Sequence, residues 1–254
     1  MPEDHFGEEI AEHYDADAAT EFDAATISAT VEFLAALADG GAALELGVGT
    51  GRIALPLSQR GVAVRGIDLS SAMVARLRGK PGAEAVDVTI GDFASVTVPG
   101  TFALVYLVFN TIMNLTTQDE QVECFANAAR HLGPGGRFVI EVLVPDLQRL
   151  ARGERYRPFS VTDAHLGIDE YDVVAQSVVS HHYSFRPEGT TTVAVPFRYV
   201  WPAELDLMAR LAGMRLEGRW SGWSKEPFTA ESTSHVSVWR LPGAGGAPSG
   251  GSRW

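Results

Sequence analysis

Between residues 43 and 143, short runs that are apolar on both faces alternate with helical stretches, and nothing else in the chain restricts the fold as tightly. Residues 43–46, 62–67, 85–90, 102–109 and 136–143 read as strands, whereas 50–60, 71–78 and 118–132 read as helices. The turn Gly133-Pro134-Gly135-Gly136 sets off the last of these strands. A strand apolar on both faces needs cover on both, which a parallel sheet flanked by helices provides. The right-handed crossover rule then gives a doubly wound α/β layout.

The flanks differ. Residues 27–38 carry a helical pattern closed by Gly40-Gly41, so 1–40 reads as a helical segment or lid ahead of an α/β core at 41–145. After Pro145 the rhythm breaks. A short helix near 146–152 precedes two strand-like runs, 171–185 and 190–201, joined by Arg186-Pro187-Glu188-Gly189. This is the pattern of an inserted antiparallel hairpin spanning 146–201, usable as a substrate cap or as the contact of a homodimer. Pro202 then opens a helix at 203–212, closed by Gly213, and two more strands at 214–220 and 234–241 complete the core over 202–241. The Gly/Ser/Pro-rich stretch 242–254 is expected to be a disordered tail.

Composition narrows the partners. A net charge of −12 opposes a phosphate backbone, and the one short basic stretch, 149–157, contains Glu154. Cys124 is the only cysteine, so no disulfide forms within the chain, and its helical setting suits a buried, inert thiol. Residues 1–12 lack the basic and apolar regions of a signal peptide, and no run reaches the roughly 18 apolar residues of a membrane span. The expectation is a cytoplasmic protein with a small-molecule substrate, no nucleic acid and no membrane. No His, Cys or acidic cluster has metal-ligand spacing, so no metal is expected.

A ligand site is written at successive strand ends. Glu45-Leu46-Gly47-Val48-Gly49-Thr50-Gly51 follows the first strand, where glycines permit positive φ and close approach of a ligand. Asp68 ends the second strand about 20 residues beyond Gly47, a spacing at which a carboxylate reaches ribose hydroxyls. Asp92 follows the third strand, placed to accept from an adenine amino group with Phe93 beside the ring. The plain alternatives are a strand-to-helix turn for the glycines, a helix cap for Asp68 and an ordinary turn for Asp92. A dinucleotide fingerprint needs a third glycine where Arg52 stands, and no Gly-Lys-Ser/Thr is present for a P-loop.

Residues 43–52, Gly66-Ile67-Asp68-Leu69-Ser70, Gly91-Asp92-Phe93 and Leu132-Gly133-Pro134-Gly135-Gly136 together resemble the ordered motifs of class I S-adenosylmethionine-dependent methyltransferases. The resemblance covers about residues 40–145 and, through the closing strand pair, reaches 241. It implies a Rossmann-like sheet of seven strands with the last antiparallel, S-adenosyl-L-methionine as cofactor, and O- or N-methylation of a small molecule. It also implies that Gly47 and Gly49 lie under the methionine part, that Asp68 holds the ribose, that Asp92 reads adenine, and that Leu107 and Phe109 line the sulfonium. Glu45, Gly51, Leu69 and Met73 complete the candidate cofactor set. Arg52, a cation in a helix's first turn, needs an anion nearby, and both the methionine carboxylate and Glu45 qualify. Tyr14 either closes over the cofactor or anchors its own helix.

Acceptor chemistry is less legible. The fourth strand runs into Asn110-Thr111, not an Asp or a Pro-Pro-Tyr-like signature of nucleic-acid amino methylation. Asn110, Asn114, Tyr183 and Trp223 are the substrate candidates, and His181 and His182 the candidates for a general base. A solvated or structural role is the plainer reading of those histidines, and a buried or edge-facing carboxylate that of Glu141 in the fifth strand. Two rivals stand beside a methyltransferase: an NAD-dependent oxidoreductase, which Arg52 opposes, and a non-catalytic S-adenosylmethionine binder.

Overall fold

A computed structural model describes residues 7–17, 23–187 and 189–243. The tail expected at 242–254 lies outside the described residues from 244 onward. Strands β1 (Ala43–Leu46), β2 (Val64–Asp68), β3 (Val86–Ile90), β4 (Phe102–Leu107) and β5 (Leu132–Leu143) alternate with helices α3 (Ala54–Gln59), α4 (Ser71–Arg78) and α5 (Gln118–His131). After an insertion follow α6 (Pro202–Leu211), β10 (Arg215–Trp220) and β11 (Ser234–Arg240). The sheet has seven strands in the order β10-β11-β5-β4-β1-β2-β3. β11 is antiparallel to both of its neighbours, and the pairs among β1 to β5 are parallel. The doubly wound layout, including the single reversed strand, is therefore present.

Burial explains it. All four residues of β1 are buried, and the chain of contacts divides into two cores, one on each side of the sheet. Cys124, Phe125 and Ala128 of α5 and Leu205 and Met208 of α6 fill one side. Val31, Phe33 and Leu34 of α2 (Ala24–Ala38), with Leu57 of α3 and Leu77 of α4, fill the other. The helix starts follow sequence chemistry: Asp23 accepts the Thr26 N–H at 2.7 Å, and Thr117 with Glu120 forms a reciprocal capping box. A further helix, α1 (Glu8–Asp17), packs near α4. Among the described residues no helix is long and apolar enough to cross a membrane.

Several boundaries move: β2 and β4 shift by about two residues, and β5 starts at Leu132 and takes in the turn expected before it. α3 begins at Ala54, not at residue 50, because Gly47, Gly49 and Gly51 all have positive φ and Pro56 fits only in a first turn, where no N–H is required. The short helix after Pro145 is a single 3-10 turn, Leu147–Arg149. The insertion is more than a hairpin. It forms a second, antiparallel sheet of four strands, β6 (Tyr156–Val161), β7 (His165–Asp172), β8 (Ser177–Arg186) and β9 (Gly189–Arg198), in that order. The run that reads as one strand, 171–185, is broken at Val173–Gln176. There the Asp172 carboxylate accepts the N–H groups of Val174 and Ala175, and Gln176 takes φ 54°. An Asx turn hidden in apolar letters has no composition signal.

Candidate active site

The glycine-rich turn carries the chain over the end of β1 with φ values of 74°, 53° and 79° at Gly47, Gly49 and Gly51. The N–H groups of Gly47 and Val48 both bond the Ile67 carbonyl at the end of β2. Asp68 ties the next two loops together: Oδ2 accepts the Gly49 N–H at 2.6 Å and Oδ1 the Ser70 N–H at 2.8 Å. Ser70 in turn caps α4 by accepting the Met73 N–H, so the cap is Ser70; Asp68, at the end of β2, braces the glycine-rich turn and lines neither of the two cavities. Met73 lies directly beneath the turn, its methyl 3.8 Å from where a Cβ on Gly49 would sit. Leu69 is half-buried beside it.

A small cavity opens over this turn, lined among others by Tyr14, Glu45, Gly47, Gly49, Arg52 and Phe109. A Cβ at Gly47 would come within 2.6 Å of the Thr111 methyl, which lines the same cavity, so any larger residue would fill it. The guanidinium of Arg52 is held between two rings, 5.1 Å from the centroid of Tyr14 and 5.4 Å from that of Phe109. Its acidic neighbour is Asp15 at 3.9 Å. Asp15 also accepts the Thr50 hydroxyl and the Lys80 ammonium, each at 2.6 Å, which fastens α1 across the turn. Glu45 does not serve Arg52 in this way. It is buried and accepts the Tyr106 hydroxyl at 3.0 Å, and its burial pushes the carboxyl up to about 8 against the pull of that bond.

The other cofactor candidates separate. Asp92 accepts the Ala94 N–H at 2.8 Å and the Ser95 hydroxyl at 3.3 Å, so it shapes the loop after β3. Phe93 and Leu107 are buried in the core behind the sheet ends and line neither cavity described here. Phe109 does reach the crevice. Both Phe109 and Asn110 have left-handed backbones, φ 62° and 58°, a conformation that costs side-chain-bearing residues about 1–2 kcal/mol each.

What holds that turn is Glu141. Its Oε2 accepts the Phe109 N–H at 2.6 Å, and its carbonyl accepts the Asn110 N–H at 3.3 Å. Asn110 answers by accepting the Leu143 N–H at 2.8 Å through its side chain. Burial raises the Glu141 carboxyl above its ordinary range, against the opposing Phe109 hydrogen bond.

Beyond Phe109 lies a second cavity of about 620 Å³, walled by the start of α2, the ends of β4 and β5, and the loop between β10 and β11. Phe109 lines both cavities. Asp23, Glu141 and Glu226 face the larger one, and among the described residues none that lines it is Lys, Arg or His. Trp223 forms one wall and is fixed by the Phe33 ring at 5.4 Å. Of the acceptor-site candidates, Asn110 and Trp223 line this space, whereas Asn114, Tyr183, His181 and His182 line neither cavity. His181 instead meets Glu170 at 3.2 Å within the inserted sheet, and His182 packs against Phe159 and His165 on the other face. Asp23, Glu226 and the Thr26 wall were not singled out in the sequence; no local motif marks them, because three distant segments assemble the cavity.

The cradle fits S-adenosylmethionine: a glycine-rich floor with no room for a Cβ at Gly47 or Gly51, a partly buried cation, Arg52, at its wall, and the acidic Asp68 at the second strand end. When bound, that cofactor supplies a methyl group on a positively charged sulfur. The comparisons agree. A methyltransferase-domain family model matches residues 43–136. The cypemycin N-terminal methyltransferase of a Streptomyces species is 32% identical over 208 residues, spanning 79% of this chain and 83% of that protein. The CcbJ methyltransferase from Streptomyces caelestis has the same fold with a TM-score of 0.79 at 36% identity, covering 90% of this chain and 96% of that one. CalS10, an amino pentose methyltransferase from Micromonospora echinaspora solved with S-adenosylmethionine bound, shares the fold at 20% identity and a TM-score of 0.69, over 90% of this chain and 96% of its own.

The chain belongs to the class I S-adenosylmethionine-dependent methyltransferases. It is an enzyme, and neither an oxidoreductase nor a cofactor binder without activity.

Proposed function

We propose that this enzyme methylates the nitrogen of an amine carried by a small molecule. One observation carries the reading: among the described residues, the cavity that shares Phe109 with the cofactor cradle is lined by three carboxylic side chains and by no cation. An ammonium ion gains from that field, and a carboxylate or phosphate acceptor would be repelled. In support, the relative at 32% identity is named as an N-terminal methyltransferase, and an N-terminus is an amine. The cavity volume of about 620 Å³ suits an acceptor of drug-like size.

Within this reading Asp68 takes the ribose hydroxyls, Arg52 the methionine carboxylate, and Gly47 and Gly49 the methionine backbone path. Asp92 reads adenine from the loop after β3. Tyr14 and the rest of α1 form the lid of the 1–40 segment, a role supported by the Asp15 contacts to Thr50 and Lys80. The core at 41–145 and 202–241 then carries cofactor and acceptor, and the 146–201 insertion stands outside the transfer centre, since none of its residues lines either cavity.

Labelled-methyl turnover with glucosamine, triglycine and tyramine, beside glucose and 4-(2-hydroxyethyl)phenol, tests the proposal. We expect methyl transfer to at least one amine, with the product's new carbon on nitrogen by NMR, and none to the two neutral acceptors. Methylation of the tyramine phenol, or of either neutral compound in preference, would overturn it.

A further inference from the structure

We infer that Glu141 is the group that takes the proton from the acceptor's ammonium, an inference that rests on the N-methylation reading. An amine at neutral pH is mostly protonated, and its nitrogen has no lone pair to offer until one N–H bond breaks. The required step is small: the proton moves from nitrogen to a carboxylate oxygen, the electron pair stays on nitrogen, and a neutral amine faces a neutral carboxylic acid.

Position singles out Glu141 among the cavity's acids. It ends neither helix nor loop but sits in β5, paired with Val236 of β11 and bonded to the turn after β4. That turn carries Phe109, the one side chain named above that borders cradle and acceptor cavity together. Asp23 has another task, since it caps α2 through Thr26, and Glu226 is exposed in the loop between β10 and β11. One oxygen of Glu141 is committed to the Phe109 N–H. The other, Oε1, takes no hydrogen bond among the described residues, and the residue lines the cavity. A carboxylate with one oxygen anchored and one open is oriented for a single proton.

The other carboxylates of the cavity hold the ammonium beside Glu141. Facing Glu141 are Asp23 from α2 and Glu226 from the loop; along the same face of the sheet the Glu45–Tyr106 pair follows, and Arg52 lies behind the Phe109 ring. Lys225, in the same loop, sits over the Phe33 and Trp220 rings, 5.5 and 5.6 Å from their centroids. Burial, which raises the carboxyl's affinity for protons, makes Glu141 a better acceptor than an exposed glutamate. The histidines of the inserted sheet are not needed for this step.

The test uses the full chain and whichever of glucosamine, triglycine or tyramine the wild-type enzyme turns over fastest. Glu141→Gln keeps an oxygen for the Phe109 N–H and removes the proton acceptor. At pH 7.5 its kcat/KM should fall by roughly a hundredfold for an amine as basic as tyramine and by less for a peptide N-terminus, which is already partly deprotonated there. The deficit should shrink to within about threefold once the pH exceeds the amine's own pKa, where solvent has already removed the proton. Affinity for S-adenosylhomocysteine, measured by calorimetry, should stay within about twofold of wild type, since the glutamine oxygen still accepts the Phe109 N–H that holds this side of the cradle. A variant as fast as wild type at pH 7.5, or one depressed equally at every pH, overturns the inference while leaving N-methylation in place. Turnover of none of the three amines by the wild-type enzyme overturns both. Should the Gln variant fail to fold in a melting scan, calorimetry of the same amine on wild-type enzyme with S-adenosylhomocysteine, in buffers of different ionisation enthalpy, decides. Release of about one proton to buffer overturns the inference, and no net release is the outcome it requires.

Discussion

Two buried histidine and carboxylate environments show how single residues set the behaviour of this enzyme. His235 of β11 is fully buried, with Nδ1 on the Ser237 hydroxyl at 2.8 Å and no partner for Nε2 among the described residues. Burial, with help from the nearby Arg219 charge, lowers its pKa to about 3 from an ordinary 6.5. The unfolded chain therefore binds a proton below pH 6.5 that the folded chain refuses until about pH 3. Stability contributed by this residue is intact above that window and declines inside it, by up to about 1.4 kcal/mol per pH unit. We expect His235→Gln to lose less melting temperature than wild type between pH 6.5 and 4.5 in calorimetric scans. Parallel curves would show that other groups dominate acid sensitivity. Glu45 is the opposite case: a carboxyl raised by burial, kept in place by Tyr106. Its position at the end of β1 is legible from sequence; its partner, on a strand two turns of the fold later, is not.

At the scale of elements, α1 matters most. Asp15 holds it to the glycine turn through Thr50 and to α4's far end through Lys80. Burial alone would raise the Asp15 carboxyl, but the Lys80 and Thr50 hydrogen bonds bring it below its usual range. The contribution of such a group is present above its unfolded pKa and is lost only as the pH falls through the lower folded value, so the latch holds across neutral pH. Asp15→Ala should weaken S-adenosylhomocysteine binding roughly fivefold, from the loss of about 1 kcal/mol of a half-exposed contact. It should also speed proteolytic cleavage within residues 8–17. Unchanged affinity and unchanged cleavage would show that α1 does not act as a lid. The inserted sheet marks the limit of reading elements from letters. β8 and β9 are visible because Arg186-Pro187-Glu188-Gly189 separates two apolar runs. β6 and β7 are not, since β6 has exposed Tyr156, Phe159 and Val161, and β7 mixes Asp and Glu into its length, so period-two alternation is blurred.

For the whole molecule, folding and cofactor binding are coupled, because the cradle exists only when β1, β2 and β4 are paired. A ligand that binds only the folded state raises stability by about 2.7 kcal/mol at a hundred times its Kd. For a chain of this size that is a rise of roughly 5–10 °C in Tm. S-adenosylhomocysteine should produce it in thermal scans and NAD should not, and Asp68→Ala should abolish most of the shift. An equal shift with NAD would contradict the cradle as described.

The sequence by itself determined the sheet and its cofactor end. Strands that bury both faces call for a helix-covered parallel sheet, and a glycine-rich turn after β1 followed by acidic residues at the next two strand ends marks the end of the sheet where a nucleotide-like ligand sits. Those constraints are local: each depends on residues within one strand–turn–helix unit. The acceptor cavity is decided elsewhere. Asp23, Glu141 and Glu226 come from the start of a helix, the middle of a sheet and a late loop, and only the crossing order β11-β5-β4-β1 brings them to one wall beside Phe109. A carboxylate in a strand looks like a flaw in an apolar run until the neighbouring strand's N–H, the left-handed turn and the cavity are seen together. Charge and orientation at a site depend on through-space neighbours, and those are fixed by tertiary packing.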